Sequence, residues 1–106
     1  MYVPKAFVQP AQFAEAVARA TKHLGQQVLS VTPTLGSNWN GEPAVFFLVV
    51  LSDEASRRDQ LRNVTHQTSR RIIEQVQPLE QWEVLPYFNF RSASEQARIN
   101  QHSLAY

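Results

Sequence analysis

An uninterrupted run of eight apolar residues, Ala44 to Leu51, limits the possible folds of this chain more than any other feature. Gly41 and Pro43 precede it and the run itself contains neither glycine nor proline, which predicts a β-strand. Successive side chains of a strand point to opposite faces of a sheet, and both alternating sets are apolar here. The run is far shorter than the ~20 residues that a membrane-spanning helix needs. It therefore predicts a central strand that is covered on both faces.

Upstream of this strand, the pattern predicts one helix and one edge strand. Pro10 suits the first turn of a helix and Gly25 suits its end, so we predict a helix from Pro10 to Leu24. A strand follows from Val28 to Leu35 and ends at Gly36, and its Pro33 favours a position at a sheet edge. The stretch from Gly36 to Pro43 is a predicted loop, in which we expect Trp39 to be partly packed.

Downstream, the longest helical pattern in the chain precedes a second edge strand. Ser52 or Asp53 is predicted to cap a helix that ends before Pro78. Its apolar stripe consists of Leu61, Val64, Thr65, Thr68, Ile72 and Val76. The aromatic stretch from Trp82 to Phe90 contains Pro86, which again favours an edge strand. Ser92 and Glu95 have the spacing of a capping box and predict a short C-terminal helix.

This order of elements predicts an α+β fold, α-β-β-α-β, as one domain over residues 1–106. The prolines place the first and third strands at the edges of a three-stranded mixed sheet of order 1-2-3. Strands 1 and 2 are predicted to be antiparallel, and a right-handed helical crossover makes strands 2 and 3 parallel. Both main helices are expected on the same face of the sheet.

The opposite face then needs a cover that the two helices do not supply. Leaving about four large apolar side chains in water forgoes roughly 1.5–3 kcal/mol each. We therefore expect a second copy of the chain, in a homodimer, or another protein to pack there. The residues predicted for this interaction are Phe47, Val49, Tyr87, Phe88, Asn89 and Arg91. In the alternative interpretation, Ile99, Leu104 and Tyr106 fold back over the face.

The composition of the chain limits the cellular compartments and the classes of partner that we expect. The net charge of +1 produces no large field, so nucleic-acid binding requires that the ten Lys and Arg residues gather on one surface. The absence of cysteine excludes disulfides and thiolate chemistry, and fits a reducing compartment, so we expect a cytosolic protein. The first ten residues contain no continuous apolar segment, so we expect no secretory signal there.

One strip of basic residues is the candidate nucleic-acid site. Arg62, His66 and Arg70 recur every four residues on one side of the long helix, and Arg91 follows the third strand. Such residues can hold phosphates, and the aromatics near Arg91 can stack bases. Alternatively the strip is a solvated face, because Glu54 and Glu74 stand four residues from Arg58 and Arg70 and can pair with them.

Signatures of catalysis are lacking. The loop from Gly36 to Glu42 has no phosphate-loop motif, no serine lies in a Gly-x-Ser-x-Gly turn, and the three histidines have no zinc spacing. We expect no metal and no cofactor. A small hydrolase or transferase would have to use the 36–42 loop and the 89–95 segment. Its candidate residues are Asn38, Glu42, Asn89, Arg91 and Glu95.

Two stretches resemble a small family of uncharacterised bacterial proteins. They are GSNWNGEPAVFF at 36–47, continuing to LSDEA at 51–55, and LPYFNFRS at 85–92 with SEQ at 94–96. This resemblance implies a bacterial protein but no reaction, substrate or catalytic residue. The order of elements is also similar to that of ribosome-binding factor A and KH-type RNA-binding domains. The Gly-x-x-Gly loop that grips the nucleic-acid backbone in KH domains is missing from this sequence.

These observations favour a non-enzymatic protein-interaction module. We expect a homodimer or a subunit of a small bacterial complex, of the defence or toxin-antitoxin kind. The alternatives are a KH-like RNA- or DNA-binding protein and the small enzyme described above.

Overall fold

The computed structural model describes residues 2–104, with the side chains of residues 2–100. Within this part, the elements in chain order are α1 (Lys5–Val8), α2 (Pro10–Thr21), β1 (Val28–Ser37), β2 (Pro43–Leu51), α3 (Arg58–Val76), α4 (Pro78–Trp82), β3 (Leu85–Ser92) and α5 (Ala93–Leu104). The fold is α+β, as predicted. No helix in this part of the chain combines the length and the apolar character needed to cross a membrane.

The three strands form one open mixed sheet of order β1-β2-β3. β1 pairs with β2 antiparallel and β2 pairs with β3 parallel, which confirms the predicted topology. Pro33 lies in β1 and Pro86 in β3, so both prolines occupy edge strands, where a missing N–H donor is tolerated. The predicted hand of the crossover between β2 and β3 stays a prediction.

One face of the sheet and the helices α2 and α3 enclose the core. Val45, Phe47, Val49 and Leu51 of β2 have no exposed surface. They belong to one cluster of buried side chains with residues of both helices, including Phe13, Val17, Val64, Ile72 and Val76. The placement of both main helices on one face is therefore confirmed. Burial of large apolar side chains of this kind contributes roughly 1.5–3 kcal/mol each.

The long helix begins later than predicted. Ser52 and Asp53 do not cap α3, which starts at Arg58. Instead, the hydroxyl of Ser52 accepts the N–H of Ala55 at 3.1 Å, and the segment after β2 forms turns. Ser, Asp and Asn side chains stabilise turns through the same hydrogen bonds that cap helices. The residue types alone therefore did not distinguish a turn from a helix cap.

Two short helices were not predicted. α1 and α4 have four and five residues, too few to show a 3.6-residue period. Trp82 ends α4, so the third strand begins at Leu85 rather than at Trp82. The two helices are joined, because the N–H of Lys5 donates to Oε1 of Glu83 at 3.0 Å and Nζ of Lys5 lies 5.1 Å from the centre of the Trp82 ring.

The predicted C-terminal helix is confirmed as α5. Its capping box is formed by the N–H of Glu95 donating to Oγ of Ser92 at 3.1 Å and the N–H of Ser92 donating to Oε1 of Glu95 at 3.2 Å. Asp53 adds a second attachment, since it accepts the N–H and the hydroxyl of Ser94 at 3.0 and 2.6 Å. These two hydrogen bonds, the one from the hydroxyl first, hold the pKa of Asp53 below its ordinary value of 3.8.

Candidate protein-interaction face

The face of the sheet opposite the core is called the open face here. It consists of Ser30, Thr32, Thr34 and Gly36 of β1, Ala44, Phe46, Leu48 and Val50 of β2, and Leu85, Tyr87, Asn89 and Arg91 of β3. None of these residues belongs to the core cluster. The outer two strands contribute mostly polar side chains, so the apolar character of the face is concentrated on β2 and at the start of β3.

Cover of the open face is uneven. Ala44 has no exposed surface and Val50 is 9% exposed, whereas Phe46 and Tyr87 are each 40% exposed. The end of the face that contains Arg91 lies beside α5, because Nη1 of Arg91 donates to Oε1 of Gln96 at 3.1 Å. Of the residues expected to fold back over the face, Ile99 is itself exposed, and the side chains of Leu104 and Tyr106 lie outside the described residues.

Three aromatic side chains, Trp39, Phe46 and Tyr87, lie at the other end of the open face and are called the aromatic patch. The rings of Phe46 and Tyr87 stack across β2 and β3, with centroids 5.4 Å apart and planes at 20°. Trp39 is 79% exposed, so the expectation that it is partly packed is wrong. Together with Ser37 and Asn38, the patch lines an open cavity of about 340 Å³.

Asn38 holds the loop against this patch. Its Oδ1 accepts the N–H groups of Asn40 and Glu42, both at 2.9 Å. Its Nδ2 donates to Oε1 of Glu42 at 3.1 Å and to the phenol oxygen of Tyr87 at 3.0 Å. The amide of Asn38 is thereby saturated. It connects the β1–β2 loop to β3 and places the carboxylate of Glu42 next to the Tyr87 hydroxyl.

The predicted interaction residues divide between the two faces. Tyr87, Asn89 and Arg91 lie on the open face, as a partner would require. Phe47 and Val49 are corrected, because both are fully buried against the helices and cannot reach a partner.

Phe88 is corrected with them. It is half-buried on the same face as Phe47, whose ring it stacks against with centroids 5.1 Å apart. At the aromatic patch, the exposed aromatics that the prediction missed are Trp39 and Phe46. Alternation divided β2 into two sets correctly, but no signal in the sequence indicated which set the helices would cover.

The residues predicted to bind nucleic acid do not form one surface. Arg62, His66 and Arg70 are exposed on α3, which packs on the face of the sheet opposite the open face. Arg91 lies on the open face, so the sheet separates it from the helix. Arg70 also pairs with Glu74 at 3.1 Å in an exposed contact, the kind of pairing expected for a solvated helix face.

The candidate catalytic residues do not share a pocket. Asn38 and Glu42 contact each other beside Tyr87, at the start of β3. Arg91 lies four residues further along the strand, about 13 Å away at ~3.3 Å per residue, and Glu95 is engaged in the α5 cap. Among the described side chains, those of residues 2–100, no group of three or more His, Cys, Asp or Glu is placed to hold a metal ion.

The chain matches no protein-family model, and a search of curated proteins finds no match to it.

Proposed function

We propose that this chain is a protein-interaction module that binds a short segment of another protein on its open face. The observation that supports this function is the aromatic patch. Trp39 is 79% exposed and Phe46 and Tyr87 are 40% exposed, on a face that α2 and α3 leave uncovered. Large aromatics of this kind are enriched among the residues that contribute most to binding energy at protein interfaces.

The size of the face favours a short segment over a second copy of the chain. Three strands about 4.8 Å apart, paired over nine residues between β1 and β2 and over eight between β2 and β3, at a rise of ~3.3 Å per residue, cover roughly 400 Å². A stable interface between two folded proteins buries ~800 Å² on each partner. An extended or helical segment of another protein needs less area, and it gains affinity from a few side chains seated in pockets. The homodimer is therefore the alternative occupant.

The proposal also includes the cellular compartment and the kind of complex in which this module acts. The lack of cysteine supports a cytosolic protein. The resemblance of the 36–55 and 85–96 segments to bacterial proteins supports a role as a subunit of a bacterial complex. Neither point depends on the identity of the bound segment.

A peptide selection tests the proposal. Random dodecapeptides displayed on phage are selected against the immobilised protein, and the affinity of an enriched peptide is then measured for Phe46→Ser and Ile73→Ser. Ile73 is the matched control, because it is 39% exposed but lies on α3. We expect Phe46→Ser to weaken binding about tenfold or more, since central aromatic contacts commonly exceed ~1.4 kcal/mol. Equal affinity for both variants would contradict the proposal.

The oligomeric state provides a second test. Size-exclusion chromatography with light scattering is expected to show a monomer. A dimer that Phe46→Ser dissociates and Ile73→Ser preserves would place a second copy of the chain on the open face instead.

Nucleic acid is the second candidate ligand. Phe46 and Tyr87 lie side by side on neighbouring strands of an uncovered sheet, an arrangement on which single-stranded bases can stack. Filter binding of single-stranded RNA at two salt concentrations tests this candidate, since phosphate contacts weaken steeply as salt rises. Binding that is lost in Phe46→Ser and falls with salt would favour nucleic acid over a protein segment.

A further inference from the structure

We propose that the cavity at the aromatic patch receives an arginine side chain of the bound segment, with the carboxylate of Glu42 as its counter-charge. This inference rests on the proposed function, because it names the chemistry that the bound segment must present. It concerns only the cavity that Ser37, Asn38, Trp39, Phe46 and Tyr87 line.

The walls of the cavity favour a cation. Three of its five lining residues are aromatic, and the face of an aromatic ring carries negative charge density that attracts cations within about 6 Å of its centre. An open cavity of about 340 Å³ is large enough for a single long side chain. Exposed cation–π contacts contribute ~0.5–1 kcal/mol each, so two or three rings around one cation give a useful affinity.

The polar groups at the rim also favour a donor over an acceptor. All hydrogen-bonding positions of the Asn38 amide are occupied within the loop and by Tyr87. Glu42 uses Oε1 to accept from Asn38, and its Oε2 accepts no hydrogen bond from the described residues. Glu42 does not line the cavity itself, but its carboxylate is hydrogen-bonded to the same Asn38 amide that donates to the Tyr87 hydroxyl. A carboxylate at this place attracts a positively charged donor and repels a carboxylate or phosphate.

Arginine fits this combination better than lysine. Its guanidinium is planar, so it can stack on an aromatic ring while its N–H groups reach a carboxylate. Lysine can place its charge over a ring, as Lys5 does at Trp82, but its compact, strongly hydrated ammonium has no plane that could stack while it donates to a carboxylate. We therefore expect enriched peptides to share an arginine within an otherwise apolar segment that covers Leu48 and the rest of the face.

The experiment compares peptides and protein variants in a double-mutant cycle. An enriched peptide and its version with arginine replaced by norleucine are titrated against the wild type, Glu42→Gln and Glu74→Gln. Gln keeps the oxygen that accepts from Asn38, so Glu42→Gln removes the charge and preserves the loop. Glu74 is an exposed glutamate on α3 and serves as the control.

For the arginine peptide, we expect Glu42→Gln to weaken binding about threefold to tenfold, as loss of a charge-assisted hydrogen bond predicts. For the norleucine peptide, Glu42→Gln should change little. Added salt should weaken arginine-peptide binding to the wild type more than to Glu42→Gln. Trp39→Ala should weaken the arginine peptide as well, and its 79% exposure leaves folding intact. Glu74→Gln should have no effect.

Two outcomes separate this inference from the proposed function. Enriched peptides without an arginine, or arginine peptides insensitive to both Glu42→Gln and Trp39→Ala, would overturn the arginine pocket even where Phe46→Ser abolishes binding. Peptides whose binding survives Phe46→Ser would overturn the protein-binding face itself.

Discussion

The two faces of β2 carry nearly equal apolar character and yet have different environments. On one face, Val45, Phe47, Val49 and Leu51 are completely buried under α2 and α3. On the other face, Ala44 is completely buried, whereas the side chain of Phe46 is 40% exposed. The fold has a single layer of main helices, so it can seal one face only. Every apolar side chain of β2 on the first face is therefore structural, whereas Phe46 on the second face remains available for binding.

The largest expected effect comes from one pair of neighbouring phenylalanines. Phe47→Ala should lower the free energy of unfolding by ~3–5 kcal/mol, because it leaves a cavity in a packed core. Phe46→Ala should cost about 1 kcal/mol, since its ring is already partly in water and loses its stacking contact with Tyr87. Urea unfolding measures both. Similar losses for the two variants would show that the two faces of β2 are equally packed.

Asn38→Ala tests how firmly the aromatic patch is held. We expect a loss of ~1–2 kcal/mol, because two backbone N–H groups lose the acceptor that orders the loop. The phenol oxygen of Tyr87 also loses its donor. Asn40→Ala is the control, since only the backbone of Asn40 takes part in this network. Equal unfolding midpoints for the two variants would mean that the Asn38 side chain does not order the patch.

A substitution at the end of α3 is expected to stabilise the fold without changing the open face. Gln77 ends α3 with a φ of 52°, a left-handed conformation that glycine adopts freely and glutamine does not. Gln77→Gly should stabilise the fold by ~0.5–1 kcal/mol and leave peptide affinity unchanged. Gln75→Gly, inside the last turn of the same helix, should destabilise it by a similar amount. Thermal unfolding gives the melting temperatures of both variants. Shifts of the same sign relative to the wild type would contradict this prediction.

The smallest expected effect concerns the attachment of α5 beside the open face. Ser94 lowers the pKa of Asp53 in the folded state, so the stabilisation from this carboxylate is full above its ordinary pKa of 3.8 and disappears as the pH falls below it. Asp53→Asn should therefore be less stable than the wild type at neutral pH, with a difference that shrinks as the pH falls below 3.8.

Glu54→Gln is the control for this substitution, because the neighbouring Glu54 is also exposed. Urea unfolding across this pH range is the measurement. A difference between wild type and Asp53→Asn that stays constant with pH would contradict the linkage.

Several features of the fold were predictable because they depend on local chemistry. Proline lacks the N–H that a central strand needs, so Pro33 and Pro86 placed β1 and β3 at the edges. The spacing of Ser92 and Glu95 allows two reciprocal hydrogen bonds within one turn, so it predicted the start of α5. Alternation along Ala44 to Leu51 separated the two faces of the central strand, because successive side chains of a strand always diverge.

The tertiary structure alone decided the features that depend on distant residues. Whether Phe46 or Phe47 is covered depends on the side from which α2 and α3 approach the sheet, and β2 is apolar on both sides. The aromatic patch requires the parallel register that sets Phe46 beside Tyr87, and the bond from Asn38 to Tyr87 joins residues 49 positions apart. Local sequence determines what each side chain can do, whereas packing between distant segments determines which side chains remain in contact with water.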